Sequence, residues 1–392
     1  MKLQTHGTVA PGFERIRDEF EAGFAEKPDM GAALSILHHG QPVVDLWGGI
    51  ADERSRAAWS GETISVIFSC TKGLVSILAA RLVQEGLLDY EAPVVTYWPE
   101  FAAAGKEDVR VKHLLSHRSG LSAPRSPLTV EQIVDWDEVV RQLEAQAPLW
   151  EPDSGYAYHA ITHGWLIGEV IRRVSGRSVG QYFADVVTTP LGVDAWIGLP
   201  AKEGPRVAHM QVGSTLAELT AQQAAARNHD EIDWSRRAMT LGGALAPELI
   251  GPGESDGFNS SDIHQAEIPG AGGIASARAL AAIWSATITS VGGVRLLDDE
   301  TIATATVPQS EGSPVWSIPG PWPRWGMGFQ LDSEARRYTT AHGFGHDGAG
   351  GQVAFADPAA GVGFAYLTNQ MEAIDDLRGT RVVDALRAAL GL

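Results

Sequence analysis

The chain has 392 residues, more than a single ordinary hydrophobic core needs, so two domains or one large composite domain are expected. Hydrophobic residues make up 44% of it and charged residues 20%, which is typical of a globular protein and excludes a disordered one. The formal net charge of −18 repels phosphate backbones, so no nucleic-acid partner is expected.

The cysteine count and the first residues bear on cellular location. Cys70 is the single cysteine, which excludes an intramolecular disulfide and suits a reducing compartment. The first residues lack the apolar core of a signal peptide, and no apolar run in the sequence is long enough to cross a bilayer. We therefore expect a cytoplasmic protein without a membrane partner.

In the first part of the chain, the residue pattern predicts helix, sheet and helix in turn. A helix is predicted at residues 13–24, and apolar strands at 33–37 and 42–47 are typical of a β-hairpin. From Lys72 onward the apolar residues recur with helical spacing until Gly86 offers a stop. The chain is therefore expected to begin with sheet and to continue into a long apolar helix.

The second part of the chain carries further elements with clear periodicity or turn signals. These are helices at 162–175, 277–288 and 375–390, and strands at 325–331, 351–356 and 362–368. Strands near both termini with helices between them predict an α/β layer built by the two ends, with a helical lobe inserted. The expected domains are residues 1–75 with 305–392, and residues 76–304, with the active site at their interface.

Ser69 and Lys72 lie three residues apart at the start of the apolar helix. Positions i and i+3 share a helix face with Cβ atoms roughly 5 to 6 Å apart, so the Lys72 amine can reach the Ser69 hydroxyl. A serine needs a base or a cation beside it to act as a nucleophile near neutral pH, and a desolvated lysine supplies either. Taken alone, the pair is more typical of a helix N-cap followed by a solvated lysine.

Two later motifs join Ser69-Cys70-Thr71-Lys72 in chain order: Tyr156-Ala157-Tyr158-His159-Ala160 and His346-Asp347-Gly348-Ala349. Residues 111–121, 267–276 and 355–358 support them. At these intervals the set resembles the serine β-lactamase and penicillin-binding-protein superfamily, especially its class C-like branch and the family VIII carboxylesterases. The resemblance implies an α/β (α+β) β-lactamase-like fold, in which an antiparallel sheet flanked by helices is formed from both chain termini and a mainly helical lobe is inserted.

The resemblance also implies a role for each motif residue. Ser69 would form the acyl-enzyme, Lys72 would lower the hydroxyl pKa or shuttle its proton, and Tyr158 would be general base and then general acid. A tyrosine with an ordinary pKa near 10 is a poor base at pH 7, so Tyr158 would need the Lys72 cation beside it. The backbone N–H groups of Ser69 and Ala349 would form the oxyanion hole, and Gly348 would let the backbone approach the substrate.

Two positions depart from the pattern of the β-lactamases. Ala160 stands where they carry an asparagine that recognises a substrate amide, and His346 stands where they carry a lysine that holds a carboxylate. We expect His346 to be mostly neutral at pH 7 and to act as a hydrogen-bond donor, or else to be a structural histidine. Both departures weaken recognition of anionic β-lactams and leave the cleavage of neutral esters intact. Tyr158, not its neighbour Tyr156, falls on the family's tyrosine.

Other candidate motifs have plainer interpretations. Ser255 lies in a Gly-x-Ser-x-Gly pattern, but its flanks lack the buried strand and the helix of an α/β-hydrolase, so a loop is predicted. His113 and His117 have the i, i+4 spacing of zinc ligands without the glutamate of His-Glu-x-x-His, so a structural role and no metal are predicted. Cys70 is rotated about 100° from Ser69 along the helix and is expected in the core.

The sequence therefore predicts a serine carboxylesterase that hydrolyses short-chain or compact esters through an acyl-enzyme on Ser69. Its expected partner is a small-molecule ester, no cofactor is expected, and the oligomeric state is left open. Three tryptophans before the last motif, Trp316, Trp322 and Trp325, either line an apolar acyl or alcohol pocket or pack the lobe interface. The alternatives are an acyltransferase, a β-lactamase or a D-amino-acid peptidase with the same nucleophile, and a catalytically silent scaffold.

Overall fold

The computed structural model describes residues 5–226, 230–251, 256–316, 318–373 and 376–392. Within these ranges the strands are β1 (Thr5–Val9), β2 (Gly31–His38), β3 (Gln41–Asp52), β4 (Ala57–Ala58), β5 (Ser65–Val66), β6 (Ala195–Ile197), β7 (Gln211–Val212), β8 (Gly273–Ala275), β9 (Arg324–Trp325), β10 (Gln330–Leu331), β11 (Phe344–Gly348), β12 (Gln352–Asp357), β13 (Val362–Thr368) and β14 (Gln370–Met371). The α-helices are α1 (Glu14–Glu26), α2 (Cys70–Gln84), α3 (Val111–Leu115), α4 (Val130–Ile133), α5 (Trp136–Ala145), α6 (Thr162–Ser175), α7 (Val179–Phe183), α8 (Thr189–Leu191), α9 (Ser214–Ala225), α10 (Trp234–Thr240), α11 (Ser261–Gln265), α12 (Ala277–Ile288), α13 (Asp299–Ala305) and α14 (Arg378–Leu390).

The main sheet joins the two ends of the chain. Its strands run in the order β1-β3-β2-β13-β12-β11-β10-β9, with β4 added beside β3, and neighbouring strands pair antiparallel. At its centre the N-terminal strand β2 pairs with the C-terminal strand β13, from Ala32 opposite Thr368 to His38 opposite Val362. The predicted α/β (α+β) β-lactamase-like fold, with an antiparallel sheet built from both termini, is confirmed.

The two faces of the sheet are covered by different helices because they carry residues of different size. Large apolar side chains on one face pack against α1 and α14, among them Leu34, Ile36, Val44, Phe355 and Phe364. Alanines on the other face, Ala33, Ala354, Ala356 and Ala365, belong to the core shared with α2 and α12. A Cβ on Gly363 of β13 would lie 2.5 Å from the backbone nitrogen of Ser285 in α12, so this glycine lets α12 lie directly on the sheet.

Most of the predicted elements are present. The hairpin is β2 and β3, the helices predicted at 162–175 and 277–288 are α6 and α12, and the strand predicted at 362–368 is β13. The single strand predicted at 325–331 is wrong: the chain forms β9 and β10, which pair antiparallel, because Gly328 has a φ of 81° and turns the chain between them. The last helix begins at Arg378, and its predicted start at residue 375 lies outside the described residues.

The division into residues 1–75 with 305–392 and residues 76–304 stays a prediction. Helix α12 packs on β2, β12 and β13, which favours a second boundary before residue 277 instead of at 304. Helix α2 packs against helices α6, α7 and α13 and also against strands β11 and β12, so α2 connects the sheet to the helical part. Along the described ranges, no helix has the length and apolar character needed to cross a bilayer.

Candidate active site

Ser69 lies at the N-terminal end of α2, directly after a tight turn that leaves β5. Phe68 makes this turn with a φ of 42°, a strained backbone for a bulky residue, and its buried ring packs edge-on against Phe258 with centroids 5.4 Å apart. The Thr71 hydroxyl donates to the Phe68 carbonyl at 2.5 Å and accepts from the Gly273 N–H at 2.9 Å. These contacts hold the partly exposed Ser69 hydroxyl in place.

Lys72 is fully buried one helical turn after Ser69. Its Nζ lies 3.0 Å from Ser69 Oγ, 2.5 Å from the Ala160 carbonyl oxygen and 2.6 Å from the Gly270 carbonyl oxygen. Burial lowers the pKa of Lys72 well below its ordinary value. A neutral amine has two N–H groups and one lone pair, and the two carbonyls take both N–H groups. The lone pair is then left for the Ser69 hydroxyl, so Lys72 can accept the serine proton.

Sequence reasoning missed the Ala160 and Gly270 carbonyls because a main-chain oxygen has no residue-type signature. The available signal was a pair of glycines that bring the two chain segments together. A Cβ on Gly164 would lie 1.9 Å from the Gly270 nitrogen, and a Cβ on Gly270 would lie 2.2 Å from the Ile161 carbonyl oxygen. Only glycine at both positions lets the start of α6 approach residues 269–270 closely enough for both carbonyls to reach Lys72.

Tyr158 lies beside Lys72, whose Nζ is 4.8 Å from the centroid of the phenol ring. The ring stacks on Trp325, with centroids 5.3 Å apart and planes 15° apart. Burial raises the pKa of Tyr158 above its ordinary value, against a smaller opposing effect from a hydrogen bond with Ser69. The expected phenolate base is therefore disfavoured, because burial penalises its charge more than the hydrogen bond with Ser69 favours it, and burial also disfavours the Lys72 cation that would stabilise it. A protonated phenol is a hydrogen-bond donor.

Tyr156, the competing tyrosine, points its hydroxyl elsewhere. Its O–H donates to the Gly312 carbonyl at 2.5 Å. The geometry therefore favours Tyr158 over Tyr156 as the partner of Ser69.

His346 lies on β11 and is almost completely buried. Its Nδ1 is 2.7 Å from the Asp347 carbonyl oxygen, which can only accept, so Nδ1 carries the ring proton. Burial, with the nearby Lys72 as a second cause, lowers the pKa of His346 to about 3, so the ring is neutral at pH 7, as expected. In this neutral tautomer Nε2 is an acceptor. The expectation that His346 acts as a hydrogen-bond donor in the site is therefore wrong, because its only N–H group already donates to the Asp347 carbonyl.

Gly348 ends β11 next to the turn that carries Ser69, and Ala349 follows it. A Cβ on Gly348 would lie 2.5 Å from the Ile67 carbonyl oxygen and 3.3 Å from Cys70 Sγ, so the glycine is required for packing against this turn. Within the described residues, the N–H groups of Ser69 and Ala349 donate to no main-chain carbonyl. Two unengaged N–H groups at this position are what an oxyanion hole requires.

A cavity of about 350 Å³ opens onto Ser69. Its polar lining includes Tyr158, Gln330, His346 and Asp347, and its apolar lining is Tyr156, Met239, Pro314, Ile318, Trp322, Pro323 and Trp325. Trp322 and Trp325 thus line a pocket, whereas Trp316 packs edge-on against Trp150 with centroids 5.5 Å apart. The pocket interpretation is therefore favoured for Trp322 and Trp325, and the packing interpretation for Trp316.

The remaining candidates of the sequence are Cys70, two histidines and Ser255. Cys70 is fully buried, as expected. In the part of the chain that the structure describes, no group of His, Cys, Asp and Glu is arranged as a metal site; His113 Nε2 lies 3.6 Å from Asp153 Oδ1, and His117 packs behind Tyr158. Ser255 lies outside the described residues.

Comparison with known proteins gives the family of the chain. The β-lactamase family model matches residues 19–389. The esterase/β-lactamase LipL of Mycobacterium tuberculosis is 32% identical over 371 residues, which cover 93% of this chain and 83% of LipL.

Solved structures agree with this family. A family VIII carboxylesterase superposes with a TM-score of 0.86 at 34% identity, over 98% of this chain and 100% of the other. A penicillin-binding-protein homologue from Caulobacter crescentus superposes with a TM-score of 0.85 at 34% identity and the same coverage. These similarities support an ester hydrolase. The chain is a serine hydrolase that belongs to the β-lactamase family.

Proposed function

We propose that this protein hydrolyses compact, uncharged carboxylic esters through an acyl-enzyme on Ser69. One observation carries the proposal: Lys72 Nζ lies 3.0 Å from Ser69 Oγ while two carbonyls take its N–H groups. A relative that is an esterase/β-lactamase and a structural neighbour that is a carboxylesterase support the ester as substrate.

The contacts suggest a route for each proton. Ser69 Oγ attacks the ester carbonyl and gives its proton to the Lys72 amine, while the Ser69 and Ala349 N–H groups receive the developing oxyanion. The carbon–oxygen bond to the alcohol then breaks, and the Tyr158 hydroxyl protonates the departing alkoxide. The Lys72 ammonium then gives its extra proton to the Tyr158 phenolate, so the net result is the transfer of one proton from Ser69 to the alcohol. Water attacks the acyl-enzyme by the reverse route and releases the acid.

The charges around the cavity favour a neutral substrate. Among the described residues that line it, none is a lysine or an arginine. Asp347 lines it, and its Oδ2 accepts from the Arg336 Nε–H at 2.5 Å, so that carboxylate is already paired. His346 is neutral at pH 7, and Ala160 offers no side-chain amide. An anionic β-lactam would therefore leave its carboxylate unpaired in this site.

The test compares p-nitrophenyl butyrate, a chromogenic cephalosporin and a D-Ala-D-Ala peptide on the wild type and on Ser69→Ala, Lys72→Met and Tyr158→Phe. We expect the ester to react fastest, Ser69→Ala to lose at least about a thousandfold in kcat, and Tyr158→Phe at least about tenfold. Mass spectrometry of the quenched wild type should show one butyryl group on Ser69.

Ser255→Ala is the matched serine control and should keep wild-type turnover. The proposal fails if Ser255→Ala abolishes ester hydrolysis while Ser69→Ala keeps it. Faster turnover of the cephalosporin would instead favour a β-lactamase. Added alcohol measures acyl transfer, because water and alcohol compete for the same acyl-enzyme.

A further inference from the structure

The backbone segment that carries Tyr158 is held on both sides by one residue, His117. The Ala157 N–H donates to the His117 carbonyl at 3.1 Å, and the His159 N–H donates to His117 Nδ1 at 3.2 Å. Tyr158 lies between these two hydrogen bonds. Its main chain can therefore shift only if one of them breaks.

The His117 ring also contacts the Tyr158 ring directly. It is completely buried and meets the phenol edge-on, with centroids 4.9 Å apart and planes 64° apart. The His117 ring also meets the Trp325 ring edge-on, with centroids 4.7 Å apart and planes 79° apart. The Trp325 ring in turn stacks against the Tyr158 ring. Three rings in mutual contact restrict the tilt of the phenol as well as the position of its backbone.

The ring nitrogens of His117 require a neutral imidazole. Nδ1 accepts a hydrogen bond, so it carries no proton, and the proton of the neutral ring is on Nε2. A protonated ring would point an N–H group at the His159 N–H and would lose that hydrogen bond. Burial is the largest cause that lowers the pKa of His117 well below its ordinary value. The ionisable side chains that face it include His163, His159, Lys72 and His346, which lower it further to the extent that they carry a proton.

The backbone of His117 explains how one residue makes both hydrogen bonds. Its φ is 64°, in the left-handed region, which turns the carbonyl and the side chain toward the same neighbouring segment. Asparagine tolerates this region better than most residues, and glycine adopts it without strain.

A second hydrogen-bonded link reinforces the same segment. His159 Nδ1–H donates to the Ala157 carbonyl at 2.6 Å, which leaves His159 Nε2 to accept from the Ser119 hydroxyl at 2.8 Å. The loop at residues 117–119 therefore holds residues 157–159 through side-chain and main-chain hydrogen bonds.

We propose that His117 is a positioning residue for Tyr158 in ester hydrolysis. This inference rests on the proposed function. His117 does not line the substrate cavity, so it acts through Tyr158 by holding the phenol where it can donate to the leaving group. Loss of His117 should therefore reduce kcat and leave the KM for the ester unchanged.

The test uses three variants at one position with p-nitrophenyl butyrate. His117→Phe keeps a ring and removes the acceptor, His117→Asn keeps an acceptor on a residue suited to the backbone, and His117→Gly removes both without backbone strain. We expect His117→Phe and His117→Gly to lower kcat at least about tenfold with KM within about twofold, and His117→Asn to recover part of the loss. The control is His163→Phe, which changes another fully buried histidine whose ring centroid lies 5.0 Å from that of His117, and it should keep kcat.

A double-mutant cycle separates positioning from general destabilisation. In the Tyr158→Phe background, His117→Gly should cost less than about twofold in kcat, because the group that it positions is already absent. An equal loss in both backgrounds, or full kcat in a folded His117→Gly, would overturn the inference. The glycine variant keeps the test valid if His117→Phe does not fold. The proposed function fails separately, when Ser69→Ala retains ester turnover.

Discussion

The buried histidines should make the folded protein sensitive to mild acid, and His159 allows the effect to be worked out. Burial lowers the pKa of His159 to about 4, whereas an unfolded histidine titrates near 6.5. Between these two values the unfolded chain binds a proton that the folded chain does not. The free energy of unfolding therefore falls as pH falls from about 6.5, and this loss is complete below about 4.

The size of the effect follows from proton linkage. Each pH unit inside this window is worth about 1.4 kcal/mol for one histidine. At pH 5, about 1.5 units below the unfolded pKa, His159 alone should have cost about 2 kcal/mol of the free energy of unfolding relative to pH 8. His346, whose pKa burial lowers to about 3, should add a similar amount.

Urea unfolding of the wild type and of His159→Gln at pH 8 and pH 5 measures this contribution. Glutamine does not titrate and carries an oxygen that can accept from the Ser119 hydroxyl. The wild type should lose about 2 kcal/mol more than His159→Gln between the two pH values, since every other titrating group is common to both. His342→Gln, at an exposed position, is the control and should behave as the wild type. Equal losses of the free energy of unfolding in the wild type and in His159→Gln would refute the claim that His159 is neutral in the folded protein.

Further predictions concern the geometry around Lys72 and the oxyanion hole. Gly348→Ala places a Cβ 2.5 Å from the Ile67 carbonyl oxygen, so it should displace Ala349 and lower ester kcat at least about tenfold without unfolding the protein, as kinetics with circular dichroism will show. Gly164→Ala places a Cβ 1.9 Å from the Gly270 nitrogen and should lower the free energy of unfolding in urea by about 1–3 kcal/mol or more; an unchanged value contradicts the close approach. Because Lys72 must be neutral to accept a proton, kcat/KM should fall as pH falls through its lowered pKa, and a pH profile that rises on acidification would exclude this base.

The sequence pattern was sufficient to predict the helix ends where the residues at those ends themselves decide the backbone conformation. Helix α6 ends at Gly176, whose left-handed φ of 69° is the terminator that the residue type indicates. Helix α12 begins where the Ser276 hydroxyl accepts from the Ala279 N–H. In contrast, the apolar pattern predicts one strand where the chain forms β9 and β10, because the pattern does not show that Gly328 adopts a φ of 81° and lies so close to Ser76 that no Cβ would fit.

The candidate site was predictable only in part, because its protonation depends on contacts with distant parts of the chain. The motifs named Ser69, Lys72, Tyr158, His346, Gly348 and Ala349, and the fold brings all of them to one cavity or its edge. The proton positions at these residues were not predictable. They depend on the Ala160 and Gly270 carbonyls at Lys72, on the Asp347 carbonyl at His346, and on burial at Tyr158.

The sequence by itself determined that Ser69 and Lys72 lie within reach of each other, because positions three residues apart share a helix face. It also determined which family the chain belongs to, through motifs in order. Only the tertiary structure decided the direction in which the pKa of Lys72 moves, the tautomer of His346 and the contact of His117 with Tyr158. Those properties depend on burial and on partners far along the chain, and no local spacing encodes them.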